Sequence, residues 1–373
     1  MKFMHLGDLH IGKRMNDLSL IEDQKHAMNQ LIEICKEENV DFVLISGDIF
    51  DKSIPSDEAF ILYGDFINKL YQNKIKVFEI SGNHDSIYKL NYASTIFQNS
   101  DIFISEAYNG NVIKHELQDD EGEFFIYMLP YFRTAQVAKI FPDEKIESLD
   151  DAFKVIIKNM DVDFSKRNIL MMHQFLISSE RCESEEVSVG GVDGLNVEYI
   201  KDFDYVALGH LHKPQKVIYD NVRYCGSLLK YSFSEVDHTK GPMIVTLEEK
   251  GKLEIKQVPL KLLHDVKIIK GKFDELMQMD EGNDFLKVVL TDEITPIDAK
   301  YDLQQHFPNM LVFKVENDRN FKESDEEVEL KDIENISISD MFSMFYLERT
   351  SSELNDKQKE IIKKLVKKME EDE

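Results

Sequence analysis

The sequence is poor in cysteine and contains neither tryptophan nor a long apolar run. Its three cysteines, Cys35, Cys182 and Cys225, are an odd number without CxxC spacing, which argues against a disulfide framework and indicates a reducing setting. The absence of a long apolar run excludes a predicted membrane span, and Asp8 comes too early for a signal peptide. We therefore expect a cytoplasmic protein with no membrane partner.

Positive charge is also scarce. Lys and Arg number 45 against 71 Asp and Glu, which gives a net charge of −26. Affinity for phosphate comes mainly from Lys and Arg, so the composition alone argues against a nucleic-acid binder. DNA binding by this chain would need bound metal ions, a local basic rim or a basic partner.

Short apolar stretches alternate with helical stretches in residues 1–263. The predicted strands lie in "KFMHLGD" (2–8), "DFVLISGD" (41–48), "KVFEISGNHD" (76–85), "NILMMHQ" (168–174) and "DYVALGH" (204–210). Predicted helices between them include 18–38 and 56–73. With 42% apolar residues to form a core, this pattern predicts an α/β fold with two packed sheets.

The pattern changes near residue 264. Three predicted strands and two helical stretches indicate a small β-α-β-α-β domain over 264–316. Residues 317–338 are strongly acidic and are predicted to form a solvated linker. Residues 339–373 are predicted to form two helices, the first capped by Ser339, with more apolar surface than a free helix carries. Packing of both helices on their own core is the alternative to a partner interface.

Polar motifs follow the predicted strands in the order "GDLH", "SGD", "GNHD", "MMHQ" and "GHLH". Each motif alone is explained by a turn or by a buried core histidine, but all five at strand ends predict a site for two metal ions. Carboxylates and imidazoles without thiolates suit Mn²⁺, Fe²⁺ or Zn²⁺, and Asp48 can bridge two ions. The candidate ligands are Asp8, His10, Asp48, Asn83, His173, His210 and His212.

These motifs resemble the calcineurin-like metallophosphoesterase family. Within it, "GDIFD", "GNHDS", "DYVALGHLHKPQ" and "VRYCGSLLKYSFSE" are most similar to the SbcD family, the nuclease subunits of bacterial SbcCD DNA-repair complexes. The resemblance covers residues 1–263 almost fully, is weaker over the small domain and is moderate over the final helices. It implies a two-sheet metallophosphoesterase sandwich flanked by helices, with 264–316 as a capping domain.

The resemblance also implies roles for the site residues. One metal ion would be held by Asp8, His10, Asp48 and His212, and the other by Asp48, Asn83, His173 and His210. His84 would protonate the leaving oxygen or stabilise the transition state, with Asp85 orienting it. The family pattern implies Mn²⁺, although the ligand types alone do not choose among the three metals.

The implied activity is 3′→5′ exonuclease on duplex ends and endonuclease on hairpin or single-stranded DNA, in repair, recombination and replication. The implied partner is the ATPase SbcC, on whose coiled-coil base the C-terminal helices would dock. A homodimer within a heterotetramer is implied through helices near 56–72 and 87–98, offering Phe60, Ile61, Phe66, Tyr92 and Ile96. The alternatives are a phosphoesterase for cyclic nucleotides or phosphoproteins, and a non-catalytic scaffold.

Residues close to the motifs in sequence are candidates for contact with DNA. Together they would form a small basic rim on an acidic body, although an isolated Lys is usually only solvated. The candidates are Lys13, Arg14, Lys52, Tyr88, Lys89, Arg133, Lys213, Arg223, Lys230 and Tyr231.

Overall fold

The computed structural model describes residues 1–92, 94–185, 194–316 and 358–359. The predicted acidic linker at 317–338 lies outside these residues. So do the predicted C-terminal helices at 339–373, apart from 358–359. Among the described residues, no helix combines the length and apolar character that crossing a membrane requires.

The strands are short and mostly buried. They are β1 (Lys2–Leu6), β2 (Arg14–Met15), β3 (Leu18–Ser19), β4 (Phe42–Ser46), β5 (Lys76–Ile80), β6 (Ile102–Ile104), β7 (Ile113–Asp119), β8 (Gly122–Leu129), β9 (Arg167–His173), β10 (Tyr205–Gly209), β11 (Gln215–Val217), β12 (Tyr219–Tyr224), β13 (Met243–Leu247), β14 (Leu253–Gln257), β15 (Val266–Gly271), β16 (Phe285–Leu290) and β17 (Met310–Val315).

The helices are α1 (Ile21–Glu38), α2 (Asp57–Gln72), α3 (Ile87–Leu90), α4 (Ser94–Gln98), α5 (Thr134–Ile140), α6 (Leu149–Asn159), α7 (Phe273–Leu276) and α8 (Ala299–His306). The predicted helices at 18–38 and 56–73 correspond to α1 and α2. Helix α2 begins after Ser56, whose side chain accepts a hydrogen bond from the Ala59 N–H and so caps the first turn.

Two six-stranded sheets form the main body. The first has the order β14-β13-β1-β4-β5-β6, and β1, β4, β5 and β6 run parallel. The second has the order β11-β12-β10-β9-β8-β7, with β8, β9, β10 and β12 parallel. The predicted α/β class with two sheets is thus confirmed.

The two sheets pack face to face and carry helices on their outer faces. Large apolar side chains such as Phe3, Phe78 and Tyr205 fill the space between the sheets. A second apolar cluster joins the outer face of the first sheet to α1 and α2. A third joins the second sheet to α5 and α6. Four layers result, and they explain why strands buried on both faces are apolar at consecutive positions.

The chain divides into two compact units. The first consists of residues 1–269, 280–287 and 304–312 and contains both large sheets. The second includes 270–279, 288–303 and 313–316, where the Asp292 carboxylate accepts from the Phe273 N–H at 2.7 Å. The order β15-α7-β16-α8-β17 matches the pattern predicted for 264–316, while the domain boundary itself stays a prediction.

Candidate metal centre

The predicted ligands follow the carboxyl ends of five parallel strands. Asp8 and His10 follow β1, Asp48 follows β4, and Asn83 follows β5 in the first sheet. In the second sheet, His173 ends β9, while His210 and His212 follow β10. The Ser46 hydroxyl donates to the Ala207 carbonyl at 3.1 Å, so β4 and β10 lie side by side across the sandwich. This packing brings the motifs of both sheets together.

Four of these residues have a positive φ angle, a backbone conformation that residues other than glycine rarely adopt. Their φ angles are 49° for Asp8, 43° for His10, 49° for Asp48 and 102° for His210. Left-handed conformations cost free energy and cluster at functional sites, where surrounding contacts hold them. More than half of the seven predicted ligands therefore have this costly conformation.

The glycines of the motifs are needed because the loops approach one another closely. A Cβ on Gly82 would lie 2.0 Å from Asp48 Oδ1, and one on Gly209 would lie 1.9 Å from the Ser46 carbonyl oxygen. Both distances are far below contact distance, so only glycine fits. The recurring glycine before a ligand is thereby explained.

Asp48 lies at the centre of the cluster. Its Oδ2 is 3.3 Å from His173 Nε2, 3.7 Å from His10 Nε2 and 4.0 Å from His84 Nε2. One carboxylate therefore reaches imidazoles from both predicted ligand sets, as a bridging ligand must.

The two ligand sets gather on either side of Asp48. Asp8, His10 and His212 place one ligand atom each within 4.8 Å of one another, and the His10 and His212 Nε2 atoms are 3.1 Å apart. Asn83 Oδ1 lies 3.1 Å from both His173 Nε2 and His210 Nδ1.

These contacts fit divalent ions. Metal–nitrogen bonds of 2.0–2.1 Å put neighbouring ligands about 3 Å apart, which is the spacing of the facing imidazole nitrogens. His173 Nδ1 donates to the Ser46 carbonyl at 2.7 Å, so in the neutral ring, the form that binds metal, the lone pair is on Nε2 and faces the cluster. Overlapping groups of His10, Asp48 and His84, and of Asp8, Asp48 and His173, also meet the distance limit. How the ligands divide between two ions stays a prediction.

Burial and neighbouring charges shift the pKa values of the cluster in opposite directions. Burial raises the pKa of Asp8 well above its ordinary value. Burial alone would also raise the pKa of Asp48, but His173 and His10 beside it hold it below its ordinary value. Burial would lower the pKa of His173, yet the nearby carboxylates raise it to about 9. Burial, aided by His173, lowers the pKa of His210 to about 3. His210 is therefore neutral at neutral pH, the form in which imidazole binds metal.

His84 lies at the edge of the cluster. Its backbone N–H donates to Asp48 Oδ1 at 2.9 Å, and its Nδ1 donates to the Asp51 carbonyl at 2.9 Å. Its ring meets the His10 ring edge-on at 4.8 Å. These bonds turn Nε2 towards the cluster, which is the orientation that proton transfer to a bound substrate requires.

The Asp85 carboxylate accepts from the backbone N–H groups of Ile49 at 3.2 Å, Phe50 at 3.0 Å and Gly82 at 2.9 Å. The Asp85 carboxylate therefore links the loop after the "SGD" motif to the "GNHD" motif. The structure shows the Asp51 carbonyl as a partner of the His84 ring, and the orienting role of Asp85 stays a prediction. Sequence reasoning had no signal for a main-chain acceptor.

Two of the predicted DNA contacts lie inside the protein. Lys230 is 8% exposed and binds the Val236 carbonyl at 2.6 Å and Asp265 at 2.9 Å. Tyr231 is 5% exposed, donates its hydroxyl to the Leu9 carbonyl, and meets the rings of two predicted ligands edge-on. Neither side chain is available to DNA. Tyr231 instead packs against His10 and His212, two of the predicted metal ligands.

Other candidates lie nearer the surface, and some are already paired. Lys13 binds Asp51 at 2.8 Å, Lys213 binds Glu180, and Arg223 donates to the Asp220 carbonyl at 2.8 Å. Arg223 also lies opposite Ala207 in mid-strand, away from the strand ends.

Four basic candidates and one aromatic are exposed. Lys52 forms no ion pair with any residue that the structure describes, and Lys89 donates to the Ser53 carbonyl at 2.8 Å. Tyr88 is 85% exposed. The exposed candidates are Arg14, Lys52, Tyr88, Lys89 and Arg133.

Arg181 was missed by the sequence reasoning. Its guanidinium carbon lies 3.7 Å from the centroid of the Phe175 ring, and its charge helps to lower the pKa of His210. It forms no ion pair within the described part of the chain. Only the fold brings this residue near the ligands, because its sequence neighbourhood carries no motif.

Four of the five residues expected at a dimer interface are exposed: Phe60, Ile61, Tyr92 and Ile96. Phe66 is 2% exposed and belongs to the apolar cluster under α2, so its predicted place at an interface is corrected. The exposed residues lie on α2, on α4 and just after α3.

Comparisons with known proteins agree with this geometry. Residues 1–214 match the model of the calcineurin-like phosphoesterase family, and residues 262–350 match the type 5 capsule protein repressor C-terminal domain, named for SbcD. The chain is 32% identical over 377 residues to the SbcD subunit of the SbcCD nuclease from Staphylococcus epidermidis, covering 98% of both chains. The predicted resemblance is thereby confirmed.

Two solved structures are similar to parts of the fold. A dimetal phosphatase from Danio rerio is 11% identical, with a TM-score of 0.42, over 69% of this chain and 96% of its own. A protein from Thermus thermophilus is 12% identical, with a TM-score of 0.39, over 69% of this chain and 98% of its own.

Proposed function

The chain belongs to the calcineurin-like phosphoesterase family and, within it, to the SbcD nuclease subunits, and from this premise we propose that it is a Mn²⁺-dependent DNA nuclease. The proposed reactions are 3′→5′ exonuclease on duplex ends and endonuclease on hairpin or single-stranded DNA. The observation that carries the proposal is Asp48, which reaches imidazoles of both ligand sets with His84 beside it.

Each residue of the cluster has a part in phosphodiester cleavage. Asp8, His10, Asp48 and His212 would hold one ion, and Asp48, Asn83, His173 and His210 the other. When bound, two divalent ions lower the pKa of water and polarise the phosphate oxygens. His84, oriented by the Asp51 carbonyl, delivers a proton from Nε2 to the leaving oxygen. Hydrogen bonds between the loops that follow β1 and β4 hold Asp8 and Asp48 in their left-handed conformations, which fixes these groups before substrate arrives.

The exposed cations supply the contact with DNA. Arg14, Lys52 and Lys89 are exposed near the motif loops, and Arg181 presents a guanidinium stacked on Phe175. A rim this small on a chain of net charge −26 gives weak, salt-sensitive binding. A partner that holds DNA therefore completes the function.

That partner is proposed to be the ATPase SbcC, in the cytoplasm and in DNA repair, recombination and replication. The match to a curated SbcD protein over nearly the whole chain supports it. The exposed apolar residues of α2 and α4 support a homodimer, which with two ATPase subunits makes a heterotetramer. Residues 339–373 are proposed to dock on the ATPase.

The test is a substrate panel run with purified protein and Mn²⁺. An end-labelled duplex and a DNA hairpin are compared with a cyclic nucleotide and a phosphomonoester, with and without SbcC and ATP. We expect cleavage of both DNA substrates, with little turnover of the small esters. His84→Gln is expected to lower the rate at least about 100-fold, because general acid catalysis contributes this much.

His26→Ala is the matched control, since His26 is an exposed histidine on α1. It should cleave DNA at the wild-type rate. Turnover of only the small esters would overturn the nuclease proposal in favour of another phosphoesterase. DNA cleavage that survives His84→Gln unchanged would overturn the role of His84 alone.

A further inference from the structure

A chain of hydrogen bonds runs from the far side of the His212 ring into the protein. His212 Nδ1 lies 2.7 Å from Ser184 Oγ, which lies 2.6 Å from Glu235 Oε1. Glu235 Oε2 lies 2.5 Å from Lys240 Nζ. His212, Glu235 and Lys240 are at most 3% exposed. Ser184, Glu235 and Lys240 do not belong to the predicted ligand sets.

The direction of each bond follows from the groups involved. A serine hydroxyl has one hydrogen, and a carboxylate only accepts, so Ser184 donates to Glu235. Ser184 Oγ must then accept from His212 Nδ1–H. In the neutral ring, Nε2 therefore carries the lone pair. That atom is the one 3.1 Å from His10 Nε2, inside the ligand group.

Lys240 fixes Glu235, at the inner end of this chain of hydrogen bonds. Its three N–H groups have three acceptors: Glu235 Oε2 at 2.5 Å, Ser227 Oγ at 2.8 Å and the His212 carbonyl at 2.8 Å. Glu235 also accepts from the Tyr231 N–H at 3.2 Å. The Glu235 carboxylate is thus fixed in place by hydrogen-bond donors. Lys240 also donates to the backbone carbonyl of His212, the histidine at the other end of the hydrogen-bond chain.

We propose that Glu235, acting through Ser184, is a positioning residue that fixes His212 in the tautomer presenting Nε2 to a divalent ion. The inference deepens the proposed function and rests on it for the identity of the ion. Outer partners of this kind orient metal-binding histidines, and their loss typically weakens metal affinity by 10–100-fold.

The experiment follows the tautomer and the metal separately. Metal-free protein labelled with ¹⁵N-histidine is studied by NMR, which distinguishes protonated from unprotonated ring nitrogens, and Mn²⁺ binding is measured by calorimetry. Wild type should show His212 with Nδ1 protonated and Nε2 unprotonated. Ser184→Ala and Glu235→Gln should raise the population protonated on Nε2 and weaken Mn²⁺ binding about tenfold or more.

Ser184→Thr retains the hydroxyl and should restore both readouts, whereas Ser165→Ala, an exposed serine before β9, should change neither. If Glu235→Gln does not fold, the comparison of Ser184→Ala with Ser184→Thr still tests the proposal, because Ser184→Ala removes only one hydroxyl. Wild-type His212 protonated on Nε2, or Ser184→Ala with wild-type Mn²⁺ affinity, would overturn the proposal. A wild type with the expected tautomer and Mn²⁺ binding but no DNA cleavage would instead refute the proposed function and leave this inference standing.

Discussion

At the scale of single residues, Asp48 is the side chain on which the metal cluster depends. Replacing it by Asn keeps its size but removes the charge that reaches His173 and His10. We expect Asp48→Asn to lose Mn²⁺ binding and at least about 100-fold in DNA cleavage, because Asp48 is the ligand proposed for both ions. Calorimetry with Mn²⁺ checks the first effect, and a melting curve checks that the variant folds.

Asp220→Asn is the matched control for that experiment, since the Asp220 side chain is 79% exposed. It should bind Mn²⁺ like the wild type. An Asp48→Asn variant with unchanged Mn²⁺ affinity would contradict the central place given to Asp48.

Glu79 gives a prediction about pH that does not involve the cluster ligands. This carboxyl is fully buried on β5 and accepts from the Tyr63 hydroxyl. Burial raises its pKa from 4.5 to about 8. The folded state therefore prefers the protonated acid, and the stability that Glu79 contributes is present below about pH 4.5 and is lost as pH rises through about 8.

Glu79→Gln mimics the protonated acid, so it should gain stability relative to wild type between about pH 5 and about pH 9. The gain is expected to approach about 1.4 kcal/mol for each pH unit between the two pKa values. Denaturant unfolding at both pH values measures it, with the exposed Glu254→Gln as control. A difference from wild type that does not change with pH would show that Glu79 is ionised in the fold.

The sequence predicted the identity of residues at this scale better than their exposure. The ligands could be named because Asp, Asn and His fall at or just after the ends of apolar strands, four of them directly after a glycine. Phe66, Lys230 and Tyr231 were misplaced because burial depends on which neighbours pack around a side chain. Ser184 and Glu235 were missed because a hydrogen bond across 51 positions leaves no local pattern.

At the scale of elements, the close approach of β4 and β10 sets the shape of the site. A Cβ on Gly209 would overlap the Ser46 carbonyl, the same oxygen that orients His173. Gly209→Ala is therefore expected to lower the melting temperature and to weaken Mn²⁺ binding. Thermal unfolding and calorimetry measure the two effects.

Gly64→Ala is the matched control because Gly64 lies within α2 and a Cβ there meets no atom within 4 Å. It should stabilise the helix by about 0.5–1 kcal/mol. A Gly209→Ala protein as stable as Gly64→Ala would refute the packing argument.

The five strands that carry the motifs, and the helices α1 and α2, could be predicted because apolar runs and helix caps are local signals. The left-handed turns at Asp8 and Asp48 could not, since contacts between separate loops hold them. The same holds for Asp85, whose carboxylate acts on backbone N–H groups of the preceding motif.

At the scale of the whole molecule, a net charge of −26 leaves only a small rim of cations for the proposed contact with DNA. Each phosphate contact steepens the dependence of log affinity on log salt by about 0.9. Lys52→Ala and Arg181→Ala should each flatten that slope by about 1 and weaken binding to all sequences alike. Fluorescence anisotropy of a labelled duplex across a salt series measures the slope.

Lys145→Ala provides the control, since its side chain is 81% exposed on a loop that carries no motif. Equal slopes for Lys145→Ala and Lys52→Ala would remove Lys52 from the rim. The fold class and the order of motifs could be predicted at this scale. The pairing of each cation with a nearby acid could not, because Lys13 and Lys213 are neutralised by residues distant in sequence.

The two-metal mechanism is tested most directly by measuring DNA cleavage against the number of Mn²⁺ ions bound per chain. Metal-free protein, with SbcC and ATP present, is titrated with Mn²⁺ while hairpin cleavage and bound metal are followed together. We expect cleavage to rise only as a second ion binds each chain. Full cleavage with one ion bound, or two bound ions without cleavage, would contradict a two-metal nuclease centred on Asp48.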